Sequence, residues 1–321
     1  MKAAVRSRYG PPEAVRIAEV PTPAPGDGEV LVRVRATTVN RTDCGFRAAS
    51  PWIVRVFSGL SRPKVTILGS EFAGEIVSVG PGVSAFEAGD RVFGFSEDRF
   101  GAHAEYLTMP AGGAIATIPA DLTFEEAAPS TEGSHYALSF IRKARIRSGR
   151  RVLVNGATGA IGSAAVQILK DLGARVTAVC ATEHVELVRG LGPDRVIDYR
   201  TGDFTKDEER YDIVLDAVGK SSFGRCRRLL VPGGLYLSSD LGPLSQNPLL
   251  ALVTPMFGGR KVLFPIPRPH GRREMTYMRQ LIESGAFRPL IDRRYPLDEI
   301  VEAYRYVETG QKVGNVVIEV P

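Results

Sequence analysis

Cysteine is scarce in this chain, and the three present, Cys44, Cys180 and Cys226, lie far apart with no CxxC pair. That distribution excludes a disulfide framework and a recognisable zinc module. The four histidines, His103, His135, His184 and His270, are equally dispersed. No run of about 18 apolar residues occurs, so no segment is expected to span a membrane. The start, Met1-Lys2-Ala3-Ala4-Val5-Arg6, lacks the apolar stretch of a secretory signal, and a cytoplasmic location is the default expectation. Internal repeats and low-complexity tracts are also missing. The formal charge is +5 and the pI about 9.1. A basic stripe interleaved with aromatics is lacking, which argues against nucleic acid as a partner. The densest basic stretch, Arg142, Lys143, Arg145, Arg147, Arg150 and Arg151, reads as a solvated helix end and turn rather than a polyanion site.

What is there suffices for two ordinary globular domains: 321 residues, 44% hydrophobic and 24% charged. The first 120 residues read as strands broken by turns. Over 29–38, Val30, Val32, Val34 and Ala36 face one way, and Leu31, Arg33 and Arg35 the other. A second strand is expected over 69–80, where Gly74 suggests a bulge or a close backbone approach. The pattern changes at Thr123, which forms a capping box with Glu126 and opens a helix with interruptions foreseen at Pro129 and Gly133. From Arg151, short apolar strands alternate with helices: 151–155, 175–180, 195–198, 211–218 and 234–237. Between the first two, Ala164, Ala165, Ile168, Leu169 and Leu172 give a helical apolar face closed by Gly173. This alternation implies a parallel sheet covered on both faces. After about 262, a helix is expected over 296–310 and a last strand over 313–320. That strand invites pairing with the N-terminal β region, which would make the first domain discontinuous. The expected division is 1–123, 124–261 and 262–321.

The strongest local signal is Val152-Leu153-Val154-Asn155-Gly156-Ala157-Thr158-Gly159-Ala160-Ile161-Gly162. An apolar strand enters a Gly-rich turn, and a helix opens at its end. A pyrophosphate needs unobstructed backbone N–H groups and the positive end of a helix dipole. Gly156 serves the tight turn, Gly159 lets the backbone approach the phosphates, and Gly162 lets the helix pack on the strand. Thr158, Ala160 and Ile161 complete the cradle. The spacing is GxxGxxG rather than GxGxxG, but it heads a βαβ series, the context that the motif requires. An NAD site normally carries an acid at the end of the second strand. Here that strand ends Cys180-Ala181-Thr182, which removes a group that would repel a 2′-phosphate. Thr182, Tyr199 and Arg200 offer donors or charge, although these three and Cys180 also suit an ordinary loop. NADP(H) is therefore the favoured cofactor.

Several further stretches carry a resemblance. They are Met1-Lys2-Ala3, Val39-Asn40-Arg41-Thr42-Asp43, Gly69-Ser70-Glu71-Phe72-Ala73-Gly74, Gly89-Asp90-Arg91-Val92 and Ala102-His103-Ala104-Glu105-Tyr106. With the Gly-rich turn come Asp216-Ala217-Val218-Gly219, Pro232-Gly233-Gly234 and Lys312-Val313-Gly314-Asn315. Over essentially its whole length the chain resembles the medium-chain dehydrogenase/reductase family, in its zinc-independent, quinone-oxidoreductase-like branch. The resemblance implies an α/β protein: a Rossmann doubly wound parallel sheet plus a discontinuous, mostly β, GroES-like catalytic domain. It implies cofactor contacts from Ala217, Val218, Gly219 and Asn315, and a homodimer formed by edge-to-edge pairing of the Rossmann sheets. Relatives that hold catalytic zinc use Cys, His and Cys; this chain has Asn40, Ser70 and Ser130 at those places, so no metal is expected.

Without zinc, a reaction that passes through an alkoxide loses its Lewis acid. Reduction of a quinone or an α,β-unsaturated carbonyl needs only hydrogen-bond donors for an enolate-like oxygen, and a later proton. The resemblance implies this class of small-molecule substrate. Asn40 is the candidate catalytic residue, orienting or polarising the substrate oxygen; the competing reading is that it bonds its own turn. Phe46, Trp52 and Phe57 are candidates for an apolar pocket, and His103 and His135 read as structural histidines. A metal-free alcohol or carbonyl dehydrogenase and a non-catalytic NADPH-binding protein stand as alternatives.

Overall fold

The alternation at 29–38 becomes a strand in which Val30, Val32, Val34 and Ala36 are all buried. The computed structural model describes residues 1–96, 98–265 and 271–321, so His270 lies outside the described residues. The chain forms two units, Met1–Glu132 with Pro269–Pro321, and Gly133–Arg268. The first division falls after Glu132, nine residues beyond the expected 123/124. The reason is that Thr131 and Glu132, beyond the capped helix, donate backbone N–H groups to Glu71 of the first unit.

The first unit opens with an antiparallel pair, β1 (Lys2–Arg6) and β2 (Val15–Glu19). Then come β3 (Glu29–Val39), α1 (Arg41–Ala48), α2 (Val54–Ser58), β4 (Glu71–Val79), β5 (Arg91–Phe95), β6 (Tyr106–Pro110) and β7 (Ile115–Thr117). Gly74 behaves as the sequence suggests: the β3–β4 register shifts beside it, and a Cβ there would lie 2.0 Å from the Arg33 carbonyl oxygen. The Thr123–Glu126 capping box forms and opens α3 (Phe124–Ala127), a single turn that gives way at Ala128–Ser130.

The second unit takes up α4 (Glu132–Ala144) after its first residue, then β8 (Arg151–Asn155), α5 (Ala160–Asp171), β9 (Arg175–Cys180), α6 (Val185–Arg189) and β10 (Arg195–Asp198). Next come β11 (Tyr211–Asp216), α7 (Phe223–Cys226), β12 (Leu230–Ser238), α8 (Gln246–Val253) and β13 (Lys261–Leu263). All six strands are parallel, in the order β10-β9-β8-β11-β12-β13. This is the doubly wound order whose direction of growth reverses between β8 and β11. β11 stops at Asp216, short of the expected 218, because the Asp216 carboxylate takes the Ser221 N–H at 2.9 Å and turns the chain. Leu153, Val179, Val214, Tyr236 and Val262 fill the core between sheet and helices. Each such side chain is worth roughly 1.5–3 kcal/mol of burial.

The returning segment of the first unit carries α9 (Arg272–Glu283), β14 (Ile291–Pro296), α10 (Ile300–Glu308) and β15 (Asn315–Glu319). The expected helix start at 296 moves to Leu297, because Pro296 ends β14. β15 lies antiparallel to β3, with Val316 opposite Val39, and closes the sheet β14-β15-β3-β4-β5-β7, with β6 also on β3. The mostly β unit is therefore discontinuous, as the sequence predicts. Among the described residues no helix is long and apolar enough to cross a membrane.

Candidate functional site

At the β8/β11 reversal the two strands present their C-terminal ends side by side, with Asp216 opposite Asn155. Asn155 Nδ2 donates to Asp216 Oδ1 at 3.0 Å, which ties the turns that follow each strand. The three glycines of the first turn have distinct reasons to be glycine. Gly156 has φ +84°, and a Cβ there would meet Val218 Cβ at 2.7 Å. At Gly162 a Cβ would lie 2.0 Å from the Gly156 oxygen, so glycine lets α5 seat on the turn. Gly159 differs: its φ is −72°, and a Cβ would make only ordinary contact, 3.7 Å from the Gly156 oxygen. Nothing within the protein demands glycine there. Gly159 is also the N-cap of α5 and supplies no side-chain cap, so the N–H groups of Ala160, Ile161 and Gly162 are presented at the positive end of a twelve-residue helix. Thr158 lies in the same turn, and Ala217, Val218 and Gly219 follow β11 directly. Gly219 has φ +66°, with Asp240 filling the place of a Cβ. The residues at this edge fit a dinucleotide pyrophosphate.

The adjoining corner departs from expectation. β9 and β10 end together, with Cys180 opposite Asp198, and the Tyr199 N–H donates to the Cys180 carbonyl at 3.0 Å. Cys180, Thr182, Tyr199 and Arg200 are thus brought together. The Cys180 thiol is buried and pushed up to about 11, by that burial first and then by the neighbouring Asp198 and Glu183 charges. The end of β9 itself carries no acid, but the neighbouring end of β10 brings a carboxylate to the corner. Thr182 Oγ1 donates to Asp198 Oδ2 at 2.7 Å, and this bond holds the carboxyl below its usual range. Arg200 pairs with Glu183 at 3.4 Å and lies over the exposed Tyr199 ring. Asp198 was in plain view in the sequence, but only the parallel register shows that it shares a corner with Thr182.

In the first unit, Asn40 is buried at the N-terminus of α1. Its Oδ1 accepts the Asp43 N–H at 2.8 Å, and its own N–H donates to Asp43 Oδ2 at 3.1 Å. Its Nδ2 donates to Ser70 Oγ at 3.1 Å, which commits one of two amide hydrogens. Asn40 therefore caps its own turn, and one amide hydrogen lies outside these bonds. Asp43 Oδ1 also accepts the Gly69 N–H at 3.0 Å, and burial lifts this carboxyl to about 7. Burial lowers His103 to about 4; its Nε2 donates to the Thr38 carbonyl at 2.7 Å, and Tyr304 lies 3.3 Å from Nδ1. His103 is a neutral structural ring. Asn315 belongs to this unit, where its amide donates to the Leu290 carbonyl at 2.9 Å.

The sequence shows Glu71 but not the donors and the second acid, Glu132, that surround it. Buried Glu71 accepts from Thr38 Oγ1 at 2.6 Å, Thr131 N at 3.1 Å, Thr131 Oγ1 at 2.9 Å and Glu132 N at 2.6 Å. Glu132 itself takes a bond from Thr42 Oγ1, and burial beside the Glu71 charge pushes its carboxyl well above the usual range. The Lys312 ammonium is pushed down by burial, against the attraction of Glu132 and Glu71. The donor set does not suit zinc. Asn40 and Ser70 bond each other, Ser130 Oγ donates to the Glu126 carbonyl, and Glu71 is saturated by four donors. Among the described residues no three His, Cys, Asp or Glu side chains converge on a metal position. The expected pocket aromatics separate: Phe46 packs on Phe100 with ring centroids 4.8 Å apart, whereas Trp52 and Phe57 are exposed.

Comparison with known proteins finds relatives over the whole chain. Residues 26–120 match the family model for an alcohol dehydrogenase GroES-like domain, and residues 191–318 match that for a zinc-binding dehydrogenase. The chain is 30% identical to a 2-methylene-furan-3-one reductase of Solanum lycopersicum, over 99% of this chain and 79% of that protein. It is 28% identical to a chloroplastic NADPH-dependent alkenal/one oxidoreductase of Arabidopsis thaliana, with the same coverage. Among solved structures, the quinone oxidoreductase of Coxiella burnetii superposes with a TM-score of 0.88 at 25% identity, covering 100% of this chain and 99% of that one.

Proposed function

From the premise that this chain belongs to the medium-chain dehydrogenase/reductase family of oxidoreductases, we propose that it is a zinc-independent, NADPH-dependent reductase of quinones or α,β-unsaturated carbonyls. The observation that carries this reading is the joint state of the two units. The phosphate turn keeps a glycine, Gly159, that the protein itself does not need, while Asn40 and Ser70 bond each other where a metal would require ligands. Two relatives whose names specify furanone and alkenal/one reduction support the substrate class.

On this reading the Gly156–Gly162 turn, with Ala217, Val218 and Gly219, holds the pyrophosphate side of NADP(H), which supplies a hydride when bound. The remaining N–H of Asn40 orients the substrate oxygen and stabilises the negative charge that develops on it. At the ribose corner, Arg200 leaves its exposed partner Glu183 for a 2′-phosphate. Such exposed pairs are weak, and a phosphate offers the guanidinium a stronger, bidentate acceptor. Tyr199 adds a hydroxyl donor beside it.

The proposal includes a homodimer through the second unit. β13 is an edge strand of the parallel sheet. In the segment before it, Leu249, Leu252, Met256 and Phe257 are exposed, an apolar face of the kind that marks an interface.

NADPH consumption across a panel of quinones, enones and aldehydes, with NADP+ reduction by alcohols followed separately, tests the reading. Turnover of enones or quinones supports it. Turnover of aldehydes or alcohols alone assigns a metal-free dehydrogenase, and cofactor binding with no turnover assigns a binding protein.

A further inference from the structure

The loop that carries α2 is built inside out. Between residues 51 and 60 the residues fully buried are Ser58 and Gly59. Trp52, Ile53, Val56, Phe57 and Leu60 are exposed by 66%, 52%, 50%, 75% and 68%. The inversion is held by bonds on the inner side. Tyr9 Oη lies 2.7 Å from Ser58 Oγ and donates to the Gly59 carbonyl at 2.7 Å, Ser58 Oγ donates to Val54 O at 2.8 Å, and Lys64 N donates to Ser58 O at 2.8 Å. Gly59 has φ +120°, and a Cβ would lie 2.1 Å from the Arg62 carbonyl, so the turn is specific and keeps Phe57 and Leu60 outward. Five large apolar side chains are exposed on one short segment, a concentration of the kind that marks an interaction site.

The charge around the patch selects among partners. From residue 44 to residue 70 the sequence contains no Asp or Glu, but it contains Arg47, Arg55, Arg62 and Lys64. Arg47 is buried and bound to Glu308, whereas Arg62 and Lys64 are exposed beside the apolar tip. A two-fold contact with a second copy would set these cations against their own equivalents with no acid to answer them. A surface of anionic lipid answers both features, since aromatic and aliphatic side chains enter the headgroup boundary while Lys and Arg meet the phosphates.

We propose that the 52–64 segment is a docking site for an anionic lipid membrane, into which Trp52, Phe57 and Leu60 insert while Arg62 and Lys64 engage the headgroups. The chain then sits on a bilayer without spanning it. This inference is independent of the reaction assigned above.

The test exploits the fact that Trp52 is the only tryptophan in the chain. Full-length protein is mixed with vesicles of phosphatidylserine and phosphatidylcholine, and separately with phosphatidylcholine alone. Sedimentation and tryptophan emission are read together. The expected result is co-sedimentation with the anionic vesicles and a blue shift of Trp52 emission, both weakened by salt. The double variant Phe57→Ser with Leu60→Ser should abolish both signals. Arg62→Glu with Lys64→Glu, which leaves the apolar tip intact, should lower partitioning at least about tenfold. No partitioning of the parent protein, or equal binding to the two vesicle types, overturns the proposal. So does a dimer in lipid-free ultracentrifugation that Phe57→Ser with Leu60→Ser dissociates, because the patch would then belong to a second copy.

Discussion

Thr182 Oγ1 donates to Asp198 Oδ2 at 2.7 Å across the ends of two parallel strands, so the corner assigned to the cofactor's 2′-phosphate holds a carboxylate. On the proposed reading Asp198 would oppose NADPH and Arg200 would favour it. Asp198→Asn should raise NADPH affinity severalfold and leave NADH nearly unchanged, whereas Arg200→Ala should weaken NADPH alone. Fluorescence titration with both cofactors measures this. If Arg200→Ala lowers the two affinities equally, Arg200 does not recognise the phosphate.

The glycines of the phosphate turn separate folding from binding. Gly162→Val drives a side chain into the Gly156 carbonyl and should cost about 1–3 kcal/mol of stability by overpacking. Gly159→Val makes only ordinary contact within the protein and should cost less stability than Gly162→Val, no more than the loss of a favourable N-cap residue, yet lose the dinucleotide. Thermal melts with and without NADPH distinguish the two. A Gly159→Val protein that NADPH still stabilises would contradict the placement of the pyrophosphate.

Asn40 can be divided in the same way. Asn40→Ala removes both cap and donor and should cost about 0.5–2 kcal/mol of stability. Asn40→Ser keeps a capping oxygen but presents no amide to the substrate, so it should fold better than Asn40→Ala. Turnover of both should fall by about 10²–10³. Steady-state kinetics alongside denaturant melts provide the check. Full turnover in Asn40→Ser would confine Asn40 to its turn.

How far these features were legible in the sequence follows from how local each signal is. The alternation of Val30, Val32, Val34 and Ala36, the Thr123 cap and the Gly156–Gly162 turn are set by neighbours in the chain, and all are read correctly. The pairing of β15 with β3 followed from the chain ending on a strand. Asp198 beside Thr182, and the acid cluster of Glu71 and Glu132, depend on registers between segments far apart, which no periodicity encodes. Trp52 and Phe57 misled for a different reason. Apolar residues in a loop normally face inward, and here Ser58 and Gly59 take the inner side.

Asp43 and His103 should give the protein a pH profile with two opposing slopes. His103 Nε2 lies 3.9 Å from Asp43 Oδ2, and burial moves the two groups in opposite directions, to about 4 and about 7. The raised Asp43 makes the folded state hold a proton that the unfolded chain releases, so its stabilisation is present at low pH and lost as pH rises toward 7. The lowered His103 resists a proton that the unfolded chain takes, so its stabilisation is present at neutral pH and lost as pH falls from about 6.5 to about 4. Below about 6.5 the two largely cancel. Relative to the parent protein Asp43→Asn should lose the falling slope, so the stability difference between the two should change by up to about 3 kcal/mol in the variant's favour between pH 4 and 6.5, whatever slope buried Glu71 and Glu132 add to both. Denaturant unfolding of both proteins across that range measures it, and a pH-independent difference would show that Asp43 does not hold a proton in the folded state.

The central claim is reduction without a metal, and one measurement addresses it directly. The purified enzyme is dialysed against a strong chelator, its zinc content is determined, and NADPH oxidation by an enone and a quinone is followed in the same sample. The account predicts no stoichiometric zinc and undiminished turnover of at least one of the two substrates. One zinc per chain before dialysis, with activity lost on its removal and restored on its return, would contradict it.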